Sequence, residues 1–305
     1  MKHFLDIPSW SYKDLWQLIQ LAVHLKNDRM SGGNSPVLKG KTLAMVFQKP
    51  SLRTRVSFEM AMKHLGGDAI MLGPTEIGLG KRESVADIAR VLSGYVDGIM
   101  ARVFDHQHVV GLAEHSAVPV INGLSDDNHP CQAMADMLTI YEHFHRLRGL
   151  TLAYIGDGNN VAASLLAACA QFGVNFSAAS PEGHALPAKV MIDNANNARR
   201  SGIIIEMFDD PKTAILEADV VYTDTWTSMG QEDEAEKRLK LFQPFQVNGE
   251  LLKNAKPTAV VLHCLPAHRG QEITDEVADG PQSLIFQQAE NRMHAQKAIL
   301  VNLMG

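Results

Sequence analysis

Phe47-Gln48-Lys49-Pro50-Ser51-Leu52-Arg53-Thr54-Arg55-Val56-Ser57-Phe58-Glu59 is the stretch on which the fold of this chain turns. The residues leading into it, Thr42-Leu43-Ala44-Met45-Val46-Phe47, are nearly all apolar and predict a buried strand. Beyond it, Val56, Phe58, Met60, Met62 and Leu65 sit among good helix formers. Ser51-Leu52-Arg53-Thr54 therefore falls where a strand ends and a helix begins. The first turn of a helix presents unpaired backbone N–H groups and the positive end of its dipole. Cations oppose that dipole, so two arginines beside two hydroxyls point to a bound anion, and phosphate fits such a turn. The plainer alternative is a Ser51 N-cap followed by two solvated arginines.

The same strand–turn–helix alternation extends in both directions. Upstream, Ser11-Tyr12-Lys13-Asp14 resembles a capping box and precedes Leu15, Leu18, Ile19, Ala22 and Leu25 on one helical face. Ser31–Pro36 is a loop. Downstream, Gly66-Gly67 ends the second helix and Ala69–Leu72 is a short strand. Gly73–Ser84 is a long polar, glycine-rich loop, either a binding loop or lid or a merely exposed connection. Helix at Val85–Leu92, strand at Gly98–Ala101 and strand at Val118–Ile121 follow, then a polar turn from Asn122 to Gln132 and another helix. At Arg146–Gly149 the pattern restarts. Strand Leu150–Ile155, the turn Gly156-Asp157-Gly158-Asn159-Asn160 and the apolar helix Val161–Phe172 open a second series. It continues with strands at Asn175–Ala178, Ile203–Met207, Val220–Thr223 and Thr258–Leu262. The expectation is an α/β chain of two doubly wound domains, each a mainly parallel sheet flanked by helices. The first covers residues 1–145, completed by a C-terminal helix at about 287–305, and the second 146–286. Open parallel sheets bind ligands beyond the carboxyl ends of their strands, so the active site is expected in the crevice between the domains.

Composition narrows the function. A chain of 305 residues buries a core without staples, and its formal charge of -6 argues against nucleic acid or an anionic membrane as partner. Any anion site must then be a local cluster of Arg and His. Three scattered cysteines, Cys131, Cys169 and Cys264, fit a reducing compartment with no disulfide frame. No metal-binding spacing and no long apolar run occurs, and Met1–Pro8 does not read as a signal peptide, so the cytoplasm is the expected location.

The strand ends carry the chemistry. Arg102 ends the strand at Gly98–Ala101, where it is either a ligand group or a solvated surface residue. His129 and Gln132, three apart at a helix start, can both donate to a carbonyl oxygen, although His129 or Asn128 can equally be a cap. Cys131 reads as a small buried filler. Gly156-Asp157-Gly158 resembles a dinucleotide turn but lacks its glycine spacing, and the turn instead brings Asn160 towards the crevice. Asp224, Thr225 and Ser228 follow another strand and suit an amino-acid substrate, or form an acidic turn open to water. Glu232–Lys240 reads as a solvated, charge-laced helix without special role. Cys264 follows the last strand, ahead of a Leu265-Pro266 bond that is a candidate for the cis form, and Arg292 sits near the start of the final helix. With no redox centre, metal set or activated nucleophile in evidence, catalysis by positioning and electrostatics leads.

Ser51-Leu52-Arg53-Thr54-Arg55 is similar to the Ser-Thr-Arg-Thr-Arg signature of the aspartate and ornithine carbamoyltransferase family. His129-Pro130-Cys131-Gln132, Asp224 to Ser228-Met229-Gly230, and His263-Cys264-Leu265-Pro266 resemble its ornithine branch, and the four motifs stand in the family's order nearly end to end. The resemblance implies attack by the neutral δ-amine of L-ornithine on the carbonyl carbon of carbamoyl phosphate, giving citrulline and phosphate. Ser51, Leu52 through its N–H, Arg53, Thr54 and Arg102 would bind phosphate. His129, Gln132, Cys264, the carbonyl of Leu265 and Arg292 would hold the carbamoyl end. Asn160, Asp224, Ser228 and Met229 would bind ornithine, with Cys264 beside the reacting amine; Arg102, His129, Asp224 and Cys264 form the catalytic set. The resemblance implies no metal or organic cofactor, and a homotrimer or a stack of trimers. Arg55, further round the helix, is expected to be structural. Leu52 departs from the signature's Thr, and Gly78 stands where many members carry a Gln, with Lys81 or Arg82 as possible substitutes. Competing expectations are a carbamoyltransferase for putrescine or aspartate, and a dehydrogenase-like nucleotide-binding module built on Gly156-Asp157-Gly158. An acidic Asp224 disfavours a dianionic second substrate.

Overall fold

The computed structural model describes residues 2–227, 230 and 232–305. The chain divides into two compact units. The first runs to Leu138 and resumes at Glu290–Gly305; the second is Thr139–Ala289. Each is built on a parallel sheet.

The first sheet contains β1 (Thr42–Phe47), β2 (Asp68–Leu72), β3 (Gly98–Arg102) and β4 (Val120–Leu124), in the order β2-β1-β3-β4. β1, β3 and β4 are buried almost throughout, as continuous apolar runs in a sheet covered on both faces must be, whereas edge strand β2 is half exposed. Between β1 and β3 the winding changes direction, and Phe47 and Arg102 are register partners there. Helix Leu52–His64 leaves β1 with Phe58 and Met62 fully buried beneath it. Truncating a buried Phe to Ala in such a core costs about 3–5 kcal/mol.

The second sheet contains β5 (Thr151–Ile155), β6 (Asn175–Ala179), β7 (Ile205–Phe208), β8 (Val220–Thr223) and β9 (Val260–His263), in the order β7-β6-β5-β8-β9. Its winding changes direction between β5 and β8. Tyr154 and Tyr222 stack there at 5.9 Å, both fully buried.

Three expectations are corrected. Strand β4 does not stop at Ile121 but runs to Leu124. Asn-Gly reads locally as a turn, but the N-terminal segment pairs alongside: Asn122 N–H donates to the Phe4 carbonyl at 2.8 Å and Asn122 Nδ2 to that of Leu5 at 2.9 Å. The 73–84 segment is not all loop; Pro74–Ile77 forms one helical turn and Leu79 bridges to Glu83. The Glu232–Lys240 run is not wholly solvated either. Within helix Ala235–Phe242, Arg238 is buried, with Nη2 2.7 Å from Asp157 Oδ2, Nε donating to the Trp226 carbonyl and its guanidinium over the Phe242 ring. A charge run gives no local sign of which member finds a buried partner. Among the described residues no helix is long and apolar enough to cross a membrane.

Candidate functional site

In the first unit the switch point between β1 and β3 gathers cations and donors. Ser51 caps helix Leu52–His64, its Oγ accepting the Thr54 N–H at 3.3 Å. Thr54 is wholly buried, and three donors converge on its Oγ1: Ser51 Oγ at 3.1 Å, Arg292 Nη2 at 2.8 Å and Arg102 Nη1 at 3.5 Å. A hydroxyl oxygen has two lone pairs, so more donor capacity arrives than Thr54 can absorb. Two buried guanidiniums, a hydroxyl pair and a helix start form a cluster whose chemistry suits an anion. Arg53 adds a buried Nε that has no hydrogen-bond partner among the described residues. Arg55 lies on the surface, 3.9 Å from Glu59. Leu52 points its side chain outward, 75% exposed.

His129 is buried nearby on the chain leading into helix Pro130–Phe144. Burial, then the charges of Arg292 and Arg102, hold its imidazole well below the ordinary histidine range. The ring is therefore neutral near pH 7, with one N–H to donate. Gln132 is oriented differently from expectation: its Nε2 donates to buried Asp136 Oδ1 at 2.8 Å, and its Oε1 is left as an acceptor without a partner among the described residues. That atom suits an NH₂ group better than a carbonyl. Cys131 is the buried filler expected, its thiol pushed up to about 12 by burial and donating to the Asn122 carbonyl.

Lys49 was missed. It is buried, 2.5 Å from Asp126 Oδ1 and 4.3 Å from the Phe104 ring centroid, and so ties the turn after β1 to the turn before His129. A lysine beside a proline carries no local sign of this. Gly78 has φ +53°, and a Cβ there would sit 2.7 Å from Arg82 Cβ, so the local backbone explains why a glutamine does not occupy it. Lys81 and Arg82 are exposed on that segment.

In the second unit the ends of β5, β8 and β9 bring Asn159, Asp224 and Cys264 together. Cys264 Sγ donates to Asp224 Oδ1 at 3.0 Å and Asn159 Nδ2 to Asp224 Oδ2 at 2.9 Å. Asn160, named from sequence, is the first residue of helix Asn160–Phe172, while its neighbour Asn159 is the cap. Leu265 has φ +58° and a cis bond to Pro266, and its N–H donates to His263 Nδ1 at 2.9 Å. Ser228 and Met229 lie outside the described residues.

Two other chemistries fail here. Asp224, His263 and Cys264 place ligand-type atoms within 4.8 Å of one another. Yet His263 Nδ1 accepts the Leu265 N–H, so its Nε2 carries the proton that bonds Glu272 Oε1 at 3.0 Å, and neither nitrogen has a lone pair for a metal. At the glycine turn, a Cβ on Gly158 would lie 2.4 Å from the backbone of Ala185 and Leu186, and the Gly158 N–H donates to the His184 carbonyl. The place a pyrophosphate would take is filled by the chain itself, and the N–H groups of Val161 and Ala162 are already bound by Asn159 Oδ1.

Comparison with known proteins agrees with this division of labour. Residues 2–142 match the family profile described as aspartate/ornithine carbamoyltransferase, carbamoyl-P binding domain, and residues 148–303 its Asp/Orn binding domain. An ornithine carbamoyltransferase of Pyrococcus abyssi is 51% identical over 304 residues, covering 100% of this chain and 96% of that protein. That of Anoxybacillus flavithermus is 53% identical over 303 residues, covering 99% and 96%. The solved ornithine carbamoyltransferase of Pyrococcus furiosus superposes with a TM-score of 0.97 at 51% identity, covering 100% of this chain and 97% of that one. Two parallel-sheet units with these strand-end groups define an enzyme of group transfer, a carbamoyltransferase. The chain belongs to the aspartate/ornithine carbamoyltransferase family.

Proposed function

We propose that the chain transfers the carbamoyl group of carbamoyl phosphate to the δ-amine of L-ornithine, giving L-citrulline and phosphate, in arginine biosynthesis. The observation that carries the choice of ornithine is the buried Asp224 carboxylate, held by Cys264 and Asn159. A carboxylate recognises a cationic or amine-bearing substrate and repels the second carboxylate of aspartate. Relatives named ornithine carbamoyltransferase at about half identity over the whole length support the same choice.

Residues 1–145 with about 287–305 then form the carbamoyl phosphate domain and 146–286 the ornithine domain. Ser51, the Leu52 N–H, Arg53, Thr54 and Arg102 bind the phosphate. His129 donates its ring N–H to the carbamoyl oxygen, Arg292 supports it, and Gln132 Oε1 and the Leu265 carbonyl accept from the NH₂. Asn160, Asp224, Ser228 and Met229 bind ornithine. The neutral δ-nitrogen attacks the carbonyl carbon, charge gathers on the oxygen facing His129 and the arginines, and the C–O bond to phosphate breaks. The proton shed by the nitrogen leaves beside Asp224 and Cys264. Preorganised donors aimed at a developing oxyanion supply about 10²–10³ in rate each. A cytoplasmic homotrimer is part of this reading.

The test offers carbamoyl phosphate with ornithine, putrescine, N-acetylornithine and aspartate in parallel. Citrulline formation should dominate; faster turnover of aspartate overturns the assignment.

A further inference from the structure

We propose that Asn159 is the positioning residue for the Asp224 carboxylate, its amide pinned by a helix start on one side and aimed at Asp224 on the other. The inference rests on Asp224 binding the amine, as proposed above. Asn159 Oδ1 accepts the N–H groups of Val161 at 2.9 Å and Ala162 at 3.1 Å. Two backbone donors facing one atom identify it as the oxygen, so the amide cannot be turned over. The nitrogen must then face Asp224 Oδ2, 2.9 Å away. Helix Asn160–Phe172 is buried from Val161 to Phe172, which makes its first turn a rigid platform.

Capping alone does not call for asparagine. Ser and Asp cap a helix about as well, and both do it with an oxygen. The amide nitrogen is surplus to the cap, and its partner is the carboxylate. With Cys264 Sγ on Oδ1 and Asn159 Nδ2 on Oδ2, rotation of the Asp224 carboxylate is blocked at both oxygens. Each oxygen keeps a further lone pair, and those directions are the ones left for a substrate nitrogen.

Two variants separate positioning from capping. Asn159→Ser keeps a capping oxygen and loses the nitrogen. Asn159→Asp keeps the cap and sets a second carboxylate oxygen against Asp224 Oδ2, an arrangement that shares a proton. Cys264 and His263 face Asp224 within 4.8 Å, and Tyr154 feels Asp224, Asp157, Cys264 and Glu272, so these are the ionisable neighbours of the pair. Both variants are expected to melt near the wild-type temperature and to bind inorganic phosphate as wild type does. In Asn159→Ser, kcat/KM for ornithine should fall by about tenfold or more, the size of a hydrogen bond to a charged group. In Asn159→Asp it should fall further, with its acid limb moved to higher pH. A folded Asn159→Ser with wild-type kcat/KM for ornithine overturns the proposal. If that variant does not fold, an Asn159→Asp pH profile matching wild type overturns it instead. Failure of the wild-type enzyme to carbamoylate ornithine would sink the function and not the geometry, so the two failures are told apart.

Discussion

At the β1/β3 switch point Arg102, Arg292 and the hydroxyls of Ser51 and Thr54 meet, with neutral His129 within the field of both guanidiniums; at the β5/β8 switch point the side chains that meet are Asp224, Cys264 and Asn159. Both sheets are parallel, and both reverse their winding where these groups lie. Architecture fixes where a ligand can bind, while a handful of residues past the strand ends fixes its charge. The first unit turns two buried arginines towards one hydroxyl, a pattern of charge that suits an anion. The second commits one carboxylate to two neutral donors, which is enough for a cation or an amine and leaves little tolerance for a dianion.

That contrast can be broken from either side. Arg102→Ala removes a buried donor from the first unit alone. It should lower kcat/KM for carbamoyl phosphate by about a thousandfold; steady-state kinetics with ornithine saturating checks this, and an unchanged value would remove Arg102 from the receptor. Asp224→Asn should raise the ornithine KM about a hundredfold while phosphate binding, read by calorimetry, stays as in wild type. Loss of phosphate affinity in that variant would show that the two charge patterns are not independent.

A smaller effect concerns stability. Burial, then the charges of Lys297 and Arg29, lower the His64 pKa from 6.5 to about 4. The unfolded chain therefore binds a proton between pH 6.5 and 4 that the folded chain does not, so stability is lost as pH falls through that window. Because His64 is only partly buried, the loss should be roughly 1 kcal/mol or less, and denaturant titrations at pH 7 and pH 4.5 should show it shrinking in His64→Gln. Smallest of all, Leu52→Thr restores the signature residue at a position whose side chain is exposed. It should change stability by less than about 0.5 kcal/mol and leave the affinity for carbamoyl phosphate unchanged, because only the backbone of residue 52 faces the turn.

Much of this was legible because strand ends are legible. Apolar runs broken by polar turns placed Arg102, His129, Asp224 and Cys264 at the right ends of the right strands, and Cys131 could be set aside as filler. What escaped depended on partners far away in sequence. The extension of β4 to Leu124 needs Phe4 and Leu5, Lys49 needs Asp126, and Arg238 needs Asp157 and the Trp226 carbonyl. Asn159 and Asn160 differ by one residue, and only the start of helix Asn160–Phe172 decides which amide turns towards Asp224. The orientation of Gln132 was hidden for a similar reason, since a buried Asp136 one helical turn on claims its nitrogen.

Arg292 reaches Thr54 from the far side of the chain, after all of Thr139–Ala289 has been synthesised. In the order of synthesis the Ser51 turn is made well before that guanidinium. The Arg292–Thr54 contact therefore forms only after residue 292 has been added and helix Ile285–Met304 has packed. A product ending before residue 292 would carry the signature turn and lack that contact.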